Sequence, residues 1–573
     1  MHLFRVWAPV AKRVDVKFDD AHRPLKPCGD GWWEALVEAA GPGTDYGFIL
    51  NNDGISLPDP RSLWQPQGVH GPSRVLDHSA FQWTDGAWRA PALKNAVIYE
   101  LHIGTFTQER TFDAAAEKFE YLKALGVTHL ELMPVAAFPG ARGWGYDGVD
   151  MFAPQEAYGG PEALKRLVNA AHAHGLAVLL DVVYNHFGPS GNYLARFGPY
   201  FTASHHTPWG DAVNFEDAGS HEVRRFFVDN AKMWLRDYHF DGLRLDAVHA
   251  YMDRSAIRFM EQLASEIRDL ESETGHSYAV IAESDLNDPR VVTERERGGY
   301  ALDAQWSDDF HHALVALLTG ERTGYYADFG SVADLAKALR DVFVYDGRYS
   351  AYRDRIHGRP VEGLPAWRFL GYAQNHDQVG NRAKGERLSD LVSPGRLKIA
   401  AAMALASPFV PLIFQGEEWA ASSPFLFFTD HDPELGRLVS EGRKKEFAIF
   451  GWKPEEIPDP QAESTFMRSR LNWDEIADPK HAGVLGWYRE LIALRQSHPE
   501  FADSPTEVEF SEEDLWLKMR RGQFIIAFNI AAGALTLPVE AGAQILLKSS
   551  EEISLGANTL HLPPDSVAVL RLR

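Results

Sequence analysis

Short apolar runs alternate with longer amphipathic stretches through the middle of the chain, and that alternation predicts βα units around a parallel sheet. Eight runs carry the strand pattern: Val97–Leu101, Thr128–Met133, Ala177–Val183, Gly242–Asp246, Ala279–Glu283, Ala301–Trp306, Phe369–Gln374 and Val410–Gln415. Between them, residues 112–125, 221–238 and 393–406 repeat apolar positions at helical spacing, the last behind a Ser-Pro start. Eight such units spread over residues 93–502 imply a closed barrel with long insertions, expected at 186–220, 320–365 and 420–475.

The two ends of the chain read differently. Residues 1–92 hold β-branched and aromatic runs such as Phe4–Trp7, Val14–Phe18 and Tyr46–Leu50, cut by Pro and Gly. Residues 503–573 return to the same style with Leu515–Met519, Phe524–Asn529, Ile545–Leu547 and Ser566–Leu572. The predicted fold class is therefore α/β: a (β/α)₈ TIM barrel over 93–502, with a β-sandwich at each end, 1–92 and 503–573. Trp32 and Trp33, paired in the first sandwich, are expected in its core rather than on a sugar platform.

Composition narrows the partners. A chain of 573 residues, 45% hydrophobic, has material for two to four domains. Its net charge of -23 repels a phosphate backbone, which disfavours nucleic acid. Cys28 is the single cysteine, so no intrachain disulfide or paired-cysteine metal site can be built, which suits a reducing cytoplasm. The N-terminus has no apolar signal segment and no run of 18 apolar residues follows, which disfavours secretion and the membrane.

Catalytic groups of such barrels sit at the C-terminal ends of the strands. Four segments there are rich in polar groups: Asp181–His186, Gly242–His249, Ala282–Ser284 and Asn375–Gln378. The period-2 geometry of a strand puts Arg244 and Asp246 on the same side, and an arginine favours the ionised carboxylate that a nucleophile requires. Glu283 ends the apolar strand Tyr278–Glu283, where desolvation keeps a carboxyl protonated for use as an acid. Two carboxyls in unequal surroundings are what glycoside hydrolysis needs. His186 and His376 each follow an asparagine and read either as buried structural histidines or as binders of sugar hydroxyls. No His-Glu-x-x-His or clustered Cys/His spacing occurs, so no catalytic metal and no cofactor is expected, while structural calcium is left open without a motif to support it.

These four segments resemble the four sequence regions of the α-amylase family of retaining α-glucan enzymes. The resemblance implies Asp246 as nucleophile, Glu283 as general acid/base and Asp377 as the carboxylate that binds and distorts the sugar in subsite -1. It implies Arg244, His186, His249, His376 and Gln378 as supporting residues, with Tyr146 of Trp144-Gly-Tyr-Asp147 as the aromatic platform under that sugar. A narrower resemblance runs through Tyr99–Thr107, Glu131–Gly140, Arg142–Gly148, Gly188–Leu194, Trp306–His312 and Gln415–Ser422, which look like the maltooligosyltrehalose trehalohydrolase family. Phe4–Pro9 and Pro58–Ser62 fit the branching-enzyme-like sandwich of that family, although with little leader before Phe4 the first strand is expected to be short.

This narrower resemblance implies hydrolysis of the α-1,4 bond next to the terminal trehalose of maltooligosyl trehalose, with maltooligosyltrehalose synthase as a functional partner. Trp306, Asp308, Asp309 and Phe310 are then expected to recognise the trehalose unit, one of the two aspartates capping the helix 309–319 and the other facing sugar. A glycogen branching enzyme, a plain α-amylase or debranching enzyme, and a non-catalytic glucan-binding relative are the alternatives. The last should have lost a carboxylate, and all three are present.

Overall fold

A computed structural model describes residues 1–19, 21–448 and 453–572. Residues 20, 449–452 and 573, which the expected sandwiches and the 420–475 insertion include, lie outside the described residues. Eight parallel strands close into a barrel: β1 (Ile98–Leu101), β2 (His129–Leu132), β3 (Ala177–Val182), β4 (Gly242–Leu245), β5 (Ala279–Ala282), β6 (Ala304–Trp306), β7 (Phe369–Tyr372) and β8 (Val410–Phe414). The ring closes where Leu412 of β8 pairs with Ile98 of β1.

Several strands are shorter than the apolar pattern suggests, for a local reason. Ala301 takes a left-handed backbone (φ 60°), and the N–H groups of Ala301 and Leu302 donate to Thr293 O and Val291 O in the loop after β5, so the expected sixth strand reaches its barrel neighbour only from Asp303. Asp246 and Glu283 fall just past the ends of β4 and β5, where the ladder stops and a side chain can face the mouth. The helices Ser220–Asp237 and Pro394–Leu405 lie where the spacing predicts, the latter capped by the Ser393 side chain, which accepts from Arg396 N. The stretch 112–125 breaks into two helices, Phe112–Ala116 and Phe119–Leu125.

Two small sheets precede the barrel and two follow it. The first strand, expected to be short, runs His2–Trp7 and pairs along its whole length with Trp32–Val37. Trp33 is half-buried and donates from Nε1 to Ala8 O (3.2 Å), while Trp32 lies between the guanidiniums of Arg5 and Arg61 (5.2 and 5.4 Å). Trp7 continues into the barrel, its ring 5.4 Å from that of Tyr200 in the insertion after β3. That insertion folds as a hairpin, Phe201–Thr207 and Gly210–Val213, with exposed Trp209 at its tip. Among the described residues no helix is long and apolar enough to cross a membrane.

Candidate active site

The C-terminal ends of the strands open into a cleft of about 570 Å³, and Tyr146, His186, Asp246, His249, Glu283, Asp308, Asp377 and Gln378 line it. Its floor is organised by one fully buried guanidinium. Arg244 Nη1 donates to Asp181 (2.7 Å) and Asp246 (2.7 Å), and Nη2 donates to Glu283 Oε2 (3.1 Å). The flat face of Arg244 lies 4.3 Å from the ring of Trp306, a cation–π contact away from water. Three carboxylates therefore share one cation whose own solvation is lost, and removing it would leave them to repel one another.

The turn after β4 gives Glu283 a second donor. Ala247 adopts a left-handed backbone (φ 39°), a strained state costing roughly 1–3 kcal/mol in a residue with a Cβ. This turns its N–H onto Glu283 Oε2 at 2.7 Å, while Val248 N donates to Glu283 O (3.0 Å). The strand end that the sequence reads as apolar is thus polar at the carboxyl itself.

Opposite stands a plane of Tyr146 stacked on His376, with ring centroids 5.2 Å apart and tilted by 22°. The Tyr146 hydroxyl donates to Asp181 Oδ2 (2.6 Å) and lies 2.7 Å from His376 Nε2. Glu100 of β1 grips His376 twice, accepting from its backbone N (2.9 Å) and its Nδ1 (2.5 Å). Burial would lower the imidazole, but Asp377 and Glu100 outweigh it and push its pKa up to about 9. At neutral pH His376 is an imidazolium donating to Glu100 and to Tyr146. Burial pushes Asp181 up to about 7 against the pull of Arg244. Asp377 is the most open of the three predicted carboxylates, its side chain 37% exposed, and Asn381 Nδ2 donates to it (3.1 Å). His186 Nε2 donates to Tyr146 O (3.0 Å), and its ring stacks on Trp209 at 4.8 Å. His249 Nδ1 accepts from Asp285 N (3.2 Å).

The segment after β6 divides in a way the sequence reading does not anticipate. Its helix begins at Asp308, so Asp308 and His312, four residues apart, share the face that lines the cleft. Burial pushes Asp308 up to about 7, and it accepts from the Tyr372 hydroxyl. Asp309, expected to cap the helix or face sugar, does neither. It is 3% exposed and accepts from Asn287 Nδ2 (2.9 Å), Val344 N (2.7 Å) and Tyr345 N (2.7 Å), closing the 344–345 turn onto the loop after β5. Ser307 is the cap residue, and no side chain caps this helix. Phe310 is fully buried against Phe409 (5.1 Å), and Trp306 is buried beneath Arg244, so neither lines the cleft. One helical step of 100° separates Asp309 from Asp308, and that step is enough to send it inward.

Three stretches of the chain match described families. Residues 109–206 match Alpha amylase, catalytic domain; residues 2–64 match Carbohydrate-binding module 48 (Isoamylase N-terminal domain); residues 502–569 match a Domain of unknown function (DUF3459). Over nearly its whole length the chain is 48% identical to a malto-oligosyltrehalose trehalohydrolase of Rhizobium sp. (strain M-11), covering 99% of this chain and 97% of the relative. The chain belongs to that family. The malto-oligosyltrehalose trehalohydrolase of Mycobacterium tuberculosis (strain ATCC 25618 / H37Rv) is 47% identical, with 99% of each chain covered. A crystal structure from Salmonella typhimurium, provisionally named an alpha amylase, superposes with a TM-score of 0.91 at 39% identity, over 99% of this chain and 97% of that one. A pullulanase from Paenibacillus barengoltzii, solved with maltohexaose and alpha-cyclodextrin, shares the fold at a TM-score of 0.72 and 20% identity, over 100% of this chain and 93% of that one.

For a chain of the trehalohydrolase family, the cleft residues that sequence reasoning missed are informative. Tyr325, Tyr352 and Arg353 come from the insertion after β6, and Asp285 from the loop after β5. Arg353 grips Asp285 with both terminal nitrogens (2.7 and 2.5 Å), two residues beyond Glu283. A basic residue beside paired tyrosines in an insertion was the available signal, but nothing in strand periodicity points to a distant loop. Glu100 was hidden for a different reason: as a lone acid in an apolar strand, it shows its partner only once β1 and β7 converge. Among the described residues no group of three or more His, Cys, Asp and Glu is arranged to hold a metal ion.

Proposed function

We propose that the protein hydrolyses the α-1,4-glucosidic bond next to the terminal trehalose of maltooligosyl trehalose and releases trehalose, by double displacement with retention. The observation that carries this reading is the single Arg244 guanidinium bonded to both Asp246 and Glu283 at the floor of the cleft, which holds the two carboxyls close, as a retaining pair requires. The near-full-length match to trehalohydrolases supports the substrate.

In the first step the Asp246 carboxylate attacks the anomeric carbon while Glu283 gives its proton to the glycosidic oxygen, and trehalose departs. In the second step Glu283 takes a proton from water, the hydroxide displaces Asp246, and both carboxyls return to their starting states. Asp377 and the Tyr146–His376 plane hold the sugar in subsite -1. The trehalose unit occupies +1 and +2, beside Asp308, His312 and the Asp285–Arg353 pair. Its substrate is supplied by maltooligosyltrehalose synthase as a functional partner, and the single cysteine fits a cytoplasmic setting.

Incubation with maltotriosyltrehalose and separation of the products tests the reading. Trehalose and maltotriose in equal amounts are expected. Glucose or maltose as the main product would return the enzyme to general α-amylase activity, and new branch points on amylose would make it a branching enzyme.

A further inference from the structure

The Tyr99–Thr107 segment contains a buried histidine whose contacts the proposed chemistry does not use. His102 follows β1, is 1% exposed, and has both ring nitrogens engaged. The bonding order is fixed from one end. The backbone N of His102 donates to Gln415 Oε1 (3.0 Å), which leaves the Gln415 amide nitrogen to donate to Thr105 Oγ1 (2.9 Å). Thr105 then donates its hydroxyl proton to His102 Nδ1 (3.0 Å), so Nε2 carries the hydrogen and donates to Gly143 O (2.9 Å). The opposite tautomer would set a bare nitrogen against a carbonyl oxygen. Burial lowers the His102 pKa to about 4, so the ring stays neutral and the relay keeps one direction.

Gly143 opens the Arg142–Gly148 loop that carries Tyr146. Two of the loop's other anchors lie in the insertion after β8: Arg142 pairs with Asp430 (2.6 Å), and Trp144 Nε1 donates to Leu426 O (2.9 Å). Gly145 presses on the barrel side, where a Cβ would come within 2.1 Å of Pro134 O, but that contact only excludes volume. His102 supplies a directed bond from a barrel strand end to this loop, and Tyr158 braces it, its hydroxyl 3.0 Å from His102 Nε2 and 3.3 Å from Gly143 O.

We propose that His102 is a positioning residue for the sugar platform: through Gly143 it fixes the loop that sets Tyr146 against His376 and Asp181. The inference rests on the reading of Tyr146 as the platform under the -1 sugar. A platform that drifts loses the distorted sugar of the transition state before it loses the relaxed substrate, so the effect falls on kcat. His102→Leu is expected to lower kcat on maltotriosyltrehalose about 10-fold with KM within about twofold. His102→Gln, whose amide can both accept from Thr105 and donate to Gly143, should recover kcat to within about threefold of the parent, and Thr105→Val should fall between the two.

The decisive measurement is the cycle with Tyr146→Ala. In that background His102→Leu should cost less than about twofold further. The same 10-fold loss with and without Tyr146, or a loss confined to KM, overturns the proposal. A Tyr146→Ala enzyme with unchanged kcat would instead remove the platform reading and the proposal with it. If the leucine variant does not fold, the glutamine and valine variants carry the same cycle, and equal kcat in both and the parent overturns it.

Discussion

Both ends of the barrel hold a histidine between carboxylates under an aromatic ring, and the two arrangements behave differently. At the lower end His172 bonds Asp85 (2.8 Å) and Asp241 (3.0 Å), with Trp88 stacked on it at 4.7 Å. Asp241 also accepts from Val178 N (2.8 Å) and Trp88 Nε1 (2.8 Å), and Asp85 pairs with His239 (2.9 Å). These bonds hold the linker after the first sandwich to the strand starts, and none of the five side chains has a buried polar atom without a protein partner. At the upper end His376 sits among comparable groups, yet Asp181 Oδ1, both side-chain polar atoms of Asn185, Arg244 Nε and Gln378 Oε1 are buried without a protein partner. Residue types do not separate a structural cluster from a reactive one; the surplus of unspent donors and acceptors does.

The sharpest break of this comparison is Asp246→Asn. The amide keeps the shape but cannot attack, so kcat should fall by about 10⁴-fold or more while binding of the substrate, measured by calorimetry, persists. Near-normal turnover would place the nucleophile elsewhere. Next comes Asp308→Ala, expected to cost about 10-fold more on maltotriosyltrehalose than on maltopentaose, because a hydrogen-bonding site rejects partners that leave it unpaired. Equal losses would remove Asp308 from trehalose recognition, and Asp309→Ala, buried under its own turn, should instead lower stability on any substrate.

His172→Gln is the counterpart at the lower end, expected to cost about 3 kcal/mol of stability in chemical denaturation with kcat essentially unchanged. Burial would lower this imidazole, but its two aspartates outweigh it and raise its pKa. The pair's contribution is therefore fully present below the unfolded value of 6.5 and fades as pH rises through the folded one. The gap in melting temperature between parent and variant should narrow toward alkaline pH; a constant gap would mean the ring is neutral there.

A last test concerns Glu417, three residues past the end of β8, which burial pushes from 4.5 up to about 8. Its unfolded form ionises first, so this group's contribution falls between pH 4.5 and 8. Glu417→Gln, still able to accept from the Tyr488 hydroxyl, should flatten the decline of melting temperature over that window.

How much of this was readable in the chain follows from the range of each force. The barrel strands were, because burial on both faces writes a near-continuous apolar run. Asp246 and Arg244 were placed together because strand alternation is local and rigid. Asp309 was misplaced because the first residue of a helix decides which way all the others face, and a shift of one residue moves a side chain by 100°. Arg353, Glu100 and Trp209 owe their places to chain segments far apart in sequence, and no local period encodes that meeting.

The contact of Trp7 with the barrel insertion carries an evolutionary and engineering consequence. A Cβ at Gly198 would come within 2.7 Å of the Trp7 ring, and the same insertion ends in Trp209 at the mouth of the cleft. The first sandwich is therefore not a portable module. Recombining it between lineages demands that the large residue on one side and the missing side chain on the other travel together, so chimaeras joined at residue 92 should succeed only when residue 7 and residue 198 come from the same parent.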